Sequence, residues 1–240
     1  MMDENLMAGA EALAEIYDAI ARLPMPMQPR RVLVAGGGPA GMAAACAAHD
    51  SGLRNILIVE RDVELGGILN QCIHTGFGLH TFHQEMSGPA YAQKCIDLVE
   101  QTPVEIQTST MVISVSENRV ITCSSSHHGL QKIKAKAIIF ATGCRERSRG
   151  AIQLPGTRPS GIMSAGTAQR YLNIDGWLVG KKVLILGSGD IGLIMARRMT
   201  LEGAEVVAVA ELMPYSNGLP RNIKQCLDDF DIPLYLSHTI

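Results

Sequence analysis

Two stretches of this 240-residue chain repeat one pattern, and that repetition constrains the fold more than any other feature. The first runs Arg31-Val32-Leu33-Val34-Ala35-Gly36-Gly37-Gly38-Pro39-Ala40-Gly41-Met42. Its unbroken apolar run, Val32 to Val34, reads as a strand covered on both faces. Gly36, Gly38 and Gly41 then fit G-x-G-x-x-G, and residues 43–48 continue as helix. The first glycine permits a tight turn, and the second lets backbone approach a pyrophosphate. The third lets the helix pack closely on the strand. The helix N-terminus offers N–H groups and a positive dipole end to phosphates. Residues 55–59 read as the next strand. Glu60 closes it nineteen positions after Gly41, where a carboxylate can accept from both hydroxyls of an adenosine ribose.

The second copy follows the same order. Residues 182–186 read as a strand, and Gly187, Gly189 and Gly192 repeat the glycine spacing. A helix over 191–202 and a strand over 205–210 come next, and Glu211 again lies nineteen positions after the last glycine. Two such units, each ending in an acidic residue, predict two dinucleotide sites.

The formal net charge of −2 gives no electrostatic case for nucleic acid or an anionic membrane. The six cysteines, Cys46, Cys72, Cys95, Cys123, Cys144 and Cys226, contain no C-x-x-C pair. The start, Met1-Met2-Asp3-Glu4, lacks the positive n-region of a secretory signal, so a reducing cytoplasmic location is expected. Val32 to Ala48 is apolar enough to suggest a membrane span, but its glycines and Pro39 divide it into strand, turn and helix.

Leu6, Ala10, Leu13, Tyr17, Ile20 and Leu23 recur at helical spacing, with Asp3 as N-cap. This predicts an amphipathic helix over residues 3–23, packing on its own domain or on a partner chain. Pro24, Pro26 and Pro29 predict a stiff linker. After Glu60, residues 65–80 are rich in glycine and carry a cysteine and two histidines, a plausible lining for a cofactor's reactive end. Residues 89–101 read as a helix with Tyr91, Cys95, Leu98 and Val99 on one side. Short alternating runs over 104–108, 111–115, 120–123 and 130–136 predict an antiparallel meander, with Lys132, Lys134 and Lys136 on its solvated face. Residues 137–143 predict a separate buried strand ending in small residues at a sheet's carboxyl edge. Residues 144–161 read as a crossing connection with a Pro155-Gly156 turn. A last helix is expected over 222–230.

The stretches VAGGGPAG, ILIVE, LGGILNQC, FATG and LILGSGDIG, in this order, resemble the two-dinucleotide-binding flavoproteins of the pyridine nucleotide-disulfide oxidoreductase superfamily. QCIHTGFGLHTF and ATGCRERSRG resemble a subgroup that accompanies dehydrogenase subunits. The resemblance implies an α/β fold. An FAD-binding Rossmann-like parallel sheet with an antiparallel β-meander is followed by a second, incomplete Rossmann-like NAD(P)-binding domain. The implied boundaries are 1–29 for helix and linker, 30–155 for the FAD part and 156–240 for the NAD(P) part. Gly36, Gly38, Pro39, Ala40 and Gly41 would hold the FAD pyrophosphate, with Glu60, followed by Arg61, at its ribose end. Gly66 and Gly67 would lie along the flavin, and Thr142 and Gly143 would close over it. Gly187, Gly189, Asp190, Ile191 and Gly192 would form the NAD(H) turn. Glu211 on its ribose would repel a 2′-phosphate and favour NADH.

Three departures qualify the resemblance. Only Cys72 falls where disulfide reductases carry a cysteine pair, so disulfide reduction is not expected. Ile194 replaces a glutamate that many relatives place near the nicotinamide, and Asp190 stands inside the phosphate turn, where a carboxylate beside a pyrophosphate is unfavourable unless it points away. The chain stops at Ile240, before the stretch that usually returns to the flavin. A truncated product, or completion by another chain, is therefore expected. Cys72, His74 and His80 are the candidate catalytic side chains. Cys72 could sit by the flavin as a lone thiol or pack as a small apolar residue. His74 or His80 could donate to a flavin carbonyl or steady the reduced anion. Their spacing with His83 matches no metal pattern, so no metal is expected. The implied activity is hydride transfer between NAD(P)H and FAD, with a partner dehydrogenase subunit or a homo-oligomer. The alternative is a catalytically silent subunit that keeps the fold for assembly.

Overall fold

A computed structural model of the chain describes residues 15, 16, 19, 20, 22–157 and 159–240. Most of the amphipathic helix expected over residues 3–23, its Asp3 cap included, lies outside the described residues. Two compact units emerge. One runs up to Asn70 and resumes over Phe77–Gly143; the other comprises Gln71–Gly76 and Cys144–Ile240. The Pro155-Gly156 turn lies inside the second.

The first unit is built on strand β1 (Met27–Ala35), helix α1 (Pro39–Asp50) and strand β2 (Ile56–Val59). β1 and β2 pair in parallel, Val32 opposite Ile56 through Ala35 opposite Val59. Pro29 falls inside β1 rather than in a free linker. It fits because β2 begins only opposite Val32, so the missing N–H faces no ladder on that side. Short strands β3 (Thr75–Phe77) and β4 (Met86–Ser87) flank one helical turn, α2 (Leu79–Phe82). Helix α3 (Gly88–Glu100) starts with the Ser87 hydroxyl accepting from the Ala90 N–H at 3.4 Å. Its buried line runs through Ala92, Cys95, Ile96 and Val99, so Leu98 faces outward against expectation.

Strand β5 (Glu105–Gln107) was expected in the meander but pairs in parallel with β2. The reason is α3: a crossover helix returns the chain to the same end of the sheet, so the strand after it runs parallel. The meander itself is β6 (Thr110–Val115), β7 (Val120–Ser125) and β8 (Gly129–Phe140). The two strands expected over 130–136 and 137–143 are one, because β8 has partners along its whole length. Its first half is antiparallel to β7, and from Lys132 onward it runs parallel to β1. The resulting sheet order is β5-β2-β1-β8-β7-β6. Val32, Val34, Ile56 and Ile58 pack with Met42, Ala45 and Val99 of the helices. Leu33, Ala35, Leu57 and Val59 pack instead with Ile121, Cys123, Ile133 and Ala135 of the meander. Burial on both faces explains the continuous apolar runs. On β8, Lys132 and Lys134 donate to the Leu23 and Asn118 carbonyls, and Lys136 is exposed.

The second unit repeats the opening motif as β9 (Lys182–Leu186), α5 (Asp190–Leu201) and β10 (Glu205–Glu211), preceded by α4 (Ala165–Asn173). The helix expected over 222–230 is divided. α6 (Pro220–Cys226) ends, a 3₁₀ turn covers Asp228–Phe230, and β11 (Leu234–Leu236) follows. The three strands are parallel in the order β11-β10-β9. Leu172, Leu193, Met195, Met199, Val209 and Leu227 form its core. No helix among the described residues is long and apolar enough to cross a membrane.

Candidate functional site

The two glycine turns have the same internal construction. Gly36 at φ +113° and Gly187 at φ +99° occupy backbone that side chains rarely adopt. A Cβ at Gly41 would lie 1.9 Å from the Gly36 carbonyl oxygen, and one at Gly192 would lie 2.8 Å from that of Gly187. The third glycines are thus what lets each helix reach its own turn. Gly38 and Gly189 differ from both. Their backbones are extended, and a Cβ on either would meet nothing within 4 Å. Each is the N-cap of its helix, and neither helix has a side-chain cap. α3 and α4, in contrast, begin with Ser87 and Ser164 hydroxyls on their first-turn N–H groups. The glycine-turn helices therefore present uncapped donors and dipole ends to open space.

The acidic residues do more than close their strands. Glu60, 6% exposed, accepts the Gly37 N–H on Oε2 at 2.6 Å and the Asp62 N–H on Oε1 at 2.9 Å. Glu211, also 6% exposed, accepts the Ser188 N–H on Oε2 at 2.9 Å and the Met213 N–H on Oε1 at 2.9 Å. In both cases the carboxylate bridges 23 positions back to the middle residue of G-x-G. Ser188 adds its hydroxyl, which donates to Oε2 at 2.7 Å. Burial pushes the Glu211 carboxyl up. The bonds from Met213, Ser188 and Leu212 outweigh it, leaving the group below the usual carboxylate value.

Other expected residues gather at the first turn. The Gly66 N–H donates to the Gly37 carbonyl at 3.0 Å, and a Cβ at Gly67 would lie 3.3 Å from Gly38 Cα. Ala141 N–H donates to Ala35, bringing Thr142 and Gly143 to the carboxyl end of the sheet. Pro39 is half-buried, and Ala40 and Arg61 are exposed. Asn70 was not anticipated. Its side-chain amide donates to the Leu65 carbonyl at 2.9 Å and pins the turn that carries Gly66 and Gly67. An Asn shortly after paired glycines is a visible turn signal. At the second turn Asp190 is directed toward α6, where Oδ1 accepts the Leu219 N–H at 2.8 Å and the Asn222 amide at 2.7 Å. One oxygen of Asp190 is thus held by α6. Ile191 is exposed, and Ile194 packs against the core of the second unit.

The profile of the pyridine nucleotide-disulphide oxidoreductases matches residues 30–231. The chain belongs to this family. Among its relatives, an opine oxidase subunit of Agrobacterium tumefaciens is 26% identical over 82% of this chain and 40% of its own length. An alkyl hydroperoxide reductase subunit of Pseudomonas putida is 32% identical over 78% of this chain and 34% of its own length. The chain thus spans well under half of these curated relatives. Lactococcus lactis thioredoxin reductase superposes with a TM-score of 0.63 at 20% identity, covering 87% of this chain and 64% of that one. Membership implies FAD and NAD(P)H as cofactors. The residues present fit them: each glycine turn offers an open approach at its second glycine, an uncapped helix start and a carboxylate at the strand end.

Cys72 and His74 belong to the second unit, and His80 to the first, exposed on α2. Cys72 is buried with its Sγ 4.0 Å from Gln169 Oε1, and burial pushes its thiol up. His74 is held low by burial and by the Arg221 charge. A thiol that ionises less readily is a weaker nucleophile. Limited alkylation of the native protein at neutral pH should therefore modify exposed Cys144 first. Cys72, and Cys123, whose thiol burial pushes up to about 12, should stay unmodified. Peptide mapping that finds Cys72 labelled as fast as Cys144 would overturn the packing role.

Proposed function

We propose that this chain is the nucleotide-binding part of an FAD-dependent oxidoreductase that exchanges hydride between NAD(P)H and FAD, in concert with a partner dehydrogenase subunit. The observation that carries the reading is the duplicated turn: the same glycine geometry, open second glycine and 23-position carboxylate bridge occur twice. In this reading Gly36, Gly38 and Gly41 with the first turn of α1 take the FAD diphosphate, and Glu60 its ribose. Gly66, Gly67, Thr142 and Gly143 border the same group. Gly187, Gly189, Asp190, Ile191 and Gly192 surround the second diphosphate, and Glu211 reads that ribose. Residues 30–155 serve FAD and 156–240 serve the pyridine nucleotide. When bound, the flavin supplies hydride chemistry; the protein supplies binding, orientation and electrostatics.

Glu211 carries its charge at neutral pH, which disfavours a 2′-phosphate and supports NADH over NADPH. A partner is supported by the relatives, which are named as subunits. Six free cysteines fit a reducing cytoplasmic compartment. The test is spectroscopic. Protein purified or reconstituted with FAD should show visible flavin bands that bleach anaerobically with NADH, faster than with NADPH. A preparation that takes up no FAD would sink the reading. One that binds FAD but is reduced by neither nucleotide would leave a silent assembly subunit.

A further inference from the structure

Helices α1 and α3 of the first unit meet along a seam of small residues, and each contributes a cysteine to it. β1, β2 and β5 are parallel neighbours in the order β5-β2-β1, so the helices that cross between them run the same way, side by side. They share one apolar cluster, in which Met42 and Ala45 of α1 pack with Val99 of α3. Cys46 follows Ala45, Cys95 lies one turn before Val99, and both are partly buried against that cluster. Each is the eighth residue of its helix. The helices also end at a common level, where His49 and Leu53 line a crevice with Pro103 and Val104. The two cysteines therefore stand at the same height. Ala45 and Ala92, both fully buried, admit a close approach. Packed helix axes lie about 8–10 Å apart and each Cα about 2.3 Å from its axis, so facing Cα atoms stand about 4–5 Å apart. A disulfide spans about 4.4–6.8 Å between Cα atoms. The thiols also sense each other. Burial pushes both up; Asp50 adds to this at Cys46, and the Cys46 charge adds to it at Cys95.

We propose that Cys46 and Cys95 form a reversible disulfide that fastens α1 to α3, with a low-molecular-weight disulfide such as oxidised glutathione as the oxidant. One protein thiolate attacks a glutathione sulfur, releases one glutathione and is left as a mixed disulfide. The second attacks the protein sulfur of that bond and releases the other glutathione. Two protein thiols thus lose two electrons, their two protons pass to the released thiolates, and one external disulfide becomes two thiols. Raised thiols make the exchange slow, so the bond answers sustained oxidation rather than each turnover. The link closes a loop that carries β2, Glu60, Gly66 and Gly67, and ties that segment at both ends. No flavin or pyridine nucleotide takes part, so the pair is tested apart from the cofactor reading.

The full chain is held in glutathione buffers of rising disulfide content, quenched in acid and mapped by mass spectrometry without reduction. In the unsubstituted protein a linked Cys46–Cys95 peptide should dominate the oxidised form and disappear with dithiothreitol. Its formation should raise the urea midpoint by about 1 M. Cys46→Ser and Cys95→Ser should each abolish the peptide and leave the remaining thiol as its glutathione mixed disulfide. Mixed disulfides on both cysteines of the unsubstituted protein without a link would overturn the proposal. So would a link from either to another cysteine, or no oxidation of either while exposed Cys144 takes up glutathione. A link that leaves the midpoint unchanged would overturn the fastening. The map of the unsubstituted protein decides the matter even where a serine variant fails to fold.

Discussion

Gly36→Ala should destabilise the flavin-free protein by about 2–5 kcal/mol, whereas Gly38→Ala should leave its stability within about 0.5 kcal/mol; both should lose the flavin. The two glycines stand two positions apart and have opposite surroundings. At Gly36 the backbone sits at φ +113°, which costs a non-glycine residue about 1–2 kcal/mol. The added Cβ would also lie 2.3 Å from the Ala141 carbonyl oxygen, which is backbone and cannot rotate away. Relieving that contact means parting β8 from β1 at the sheet's carboxyl end. Gly38 has φ −73° and ψ 179°, which any residue adopts, and open space where its Cβ would go. The methyl disturbs nothing in the protein and occupies the approach proposed for the diphosphate. Urea unfolding of apoprotein and the flavin-to-protein ratio after reconstitution measure the two effects separately. Full flavin retention by Gly38→Ala would remove the first turn as the FAD site.

Glu211→Gln should cost about 2 kcal/mol at neutral pH, and the loss should shrink on acidification. Glutamine keeps the shape but presents one NH₂ where an oxygen stood, so at least one buried donor among the Ser188 N–H, the Ser188 hydroxyl and the Met213 N–H loses its acceptor. The pH dependence follows from linkage. The folded-state carboxyl lies below its ordinary value of 4.5, because its hydrogen bonds outweigh the burial that pushes it up. Its contribution is therefore fully present above the unfolded value and is lost as pH falls through the folded one. Unfolding of both proteins measured from about pH 3 to 7 should show a constant gap above about pH 5.5 that closes below about 4.5. A gap independent of pH would mean that the charge of Glu211 contributes nothing to the turn.

Local requirements were the legible ones. Gly36, Gly41, Gly187 and Gly192 could be placed from sequence because each answers to a positive φ, or to a helix passing within one Cβ of its own turn. The acidic residues nineteen positions later were equally visible, because strand, turn and helix lengths fix that spacing. Their bridging of Gly37 and Ser188 was not, since a carboxylate's partners depend on where two strands are brought side by side. The same holds for Asp190, whose sequence position suggested a clash with phosphate but whose oxygen is taken up by α6.

The sequence by itself determined the strand–turn–helix–strand elements of the two glycine units, their duplication and the lack of a second cysteine within a few positions of Cys72. Each of these is written in residue types within about thirty positions of one another. Tertiary structure alone decided that β5 joins the parallel sheet, that β8 serves both meander and sheet, and that Gln71–Gly76 is counted with the second unit. It alone set which backbone groups Glu60 and Glu211 hold. Strand partners and hydrogen-bond partners are chosen among groups distant in sequence, and a short-range pattern of apolar and polar residues does not encode that choice.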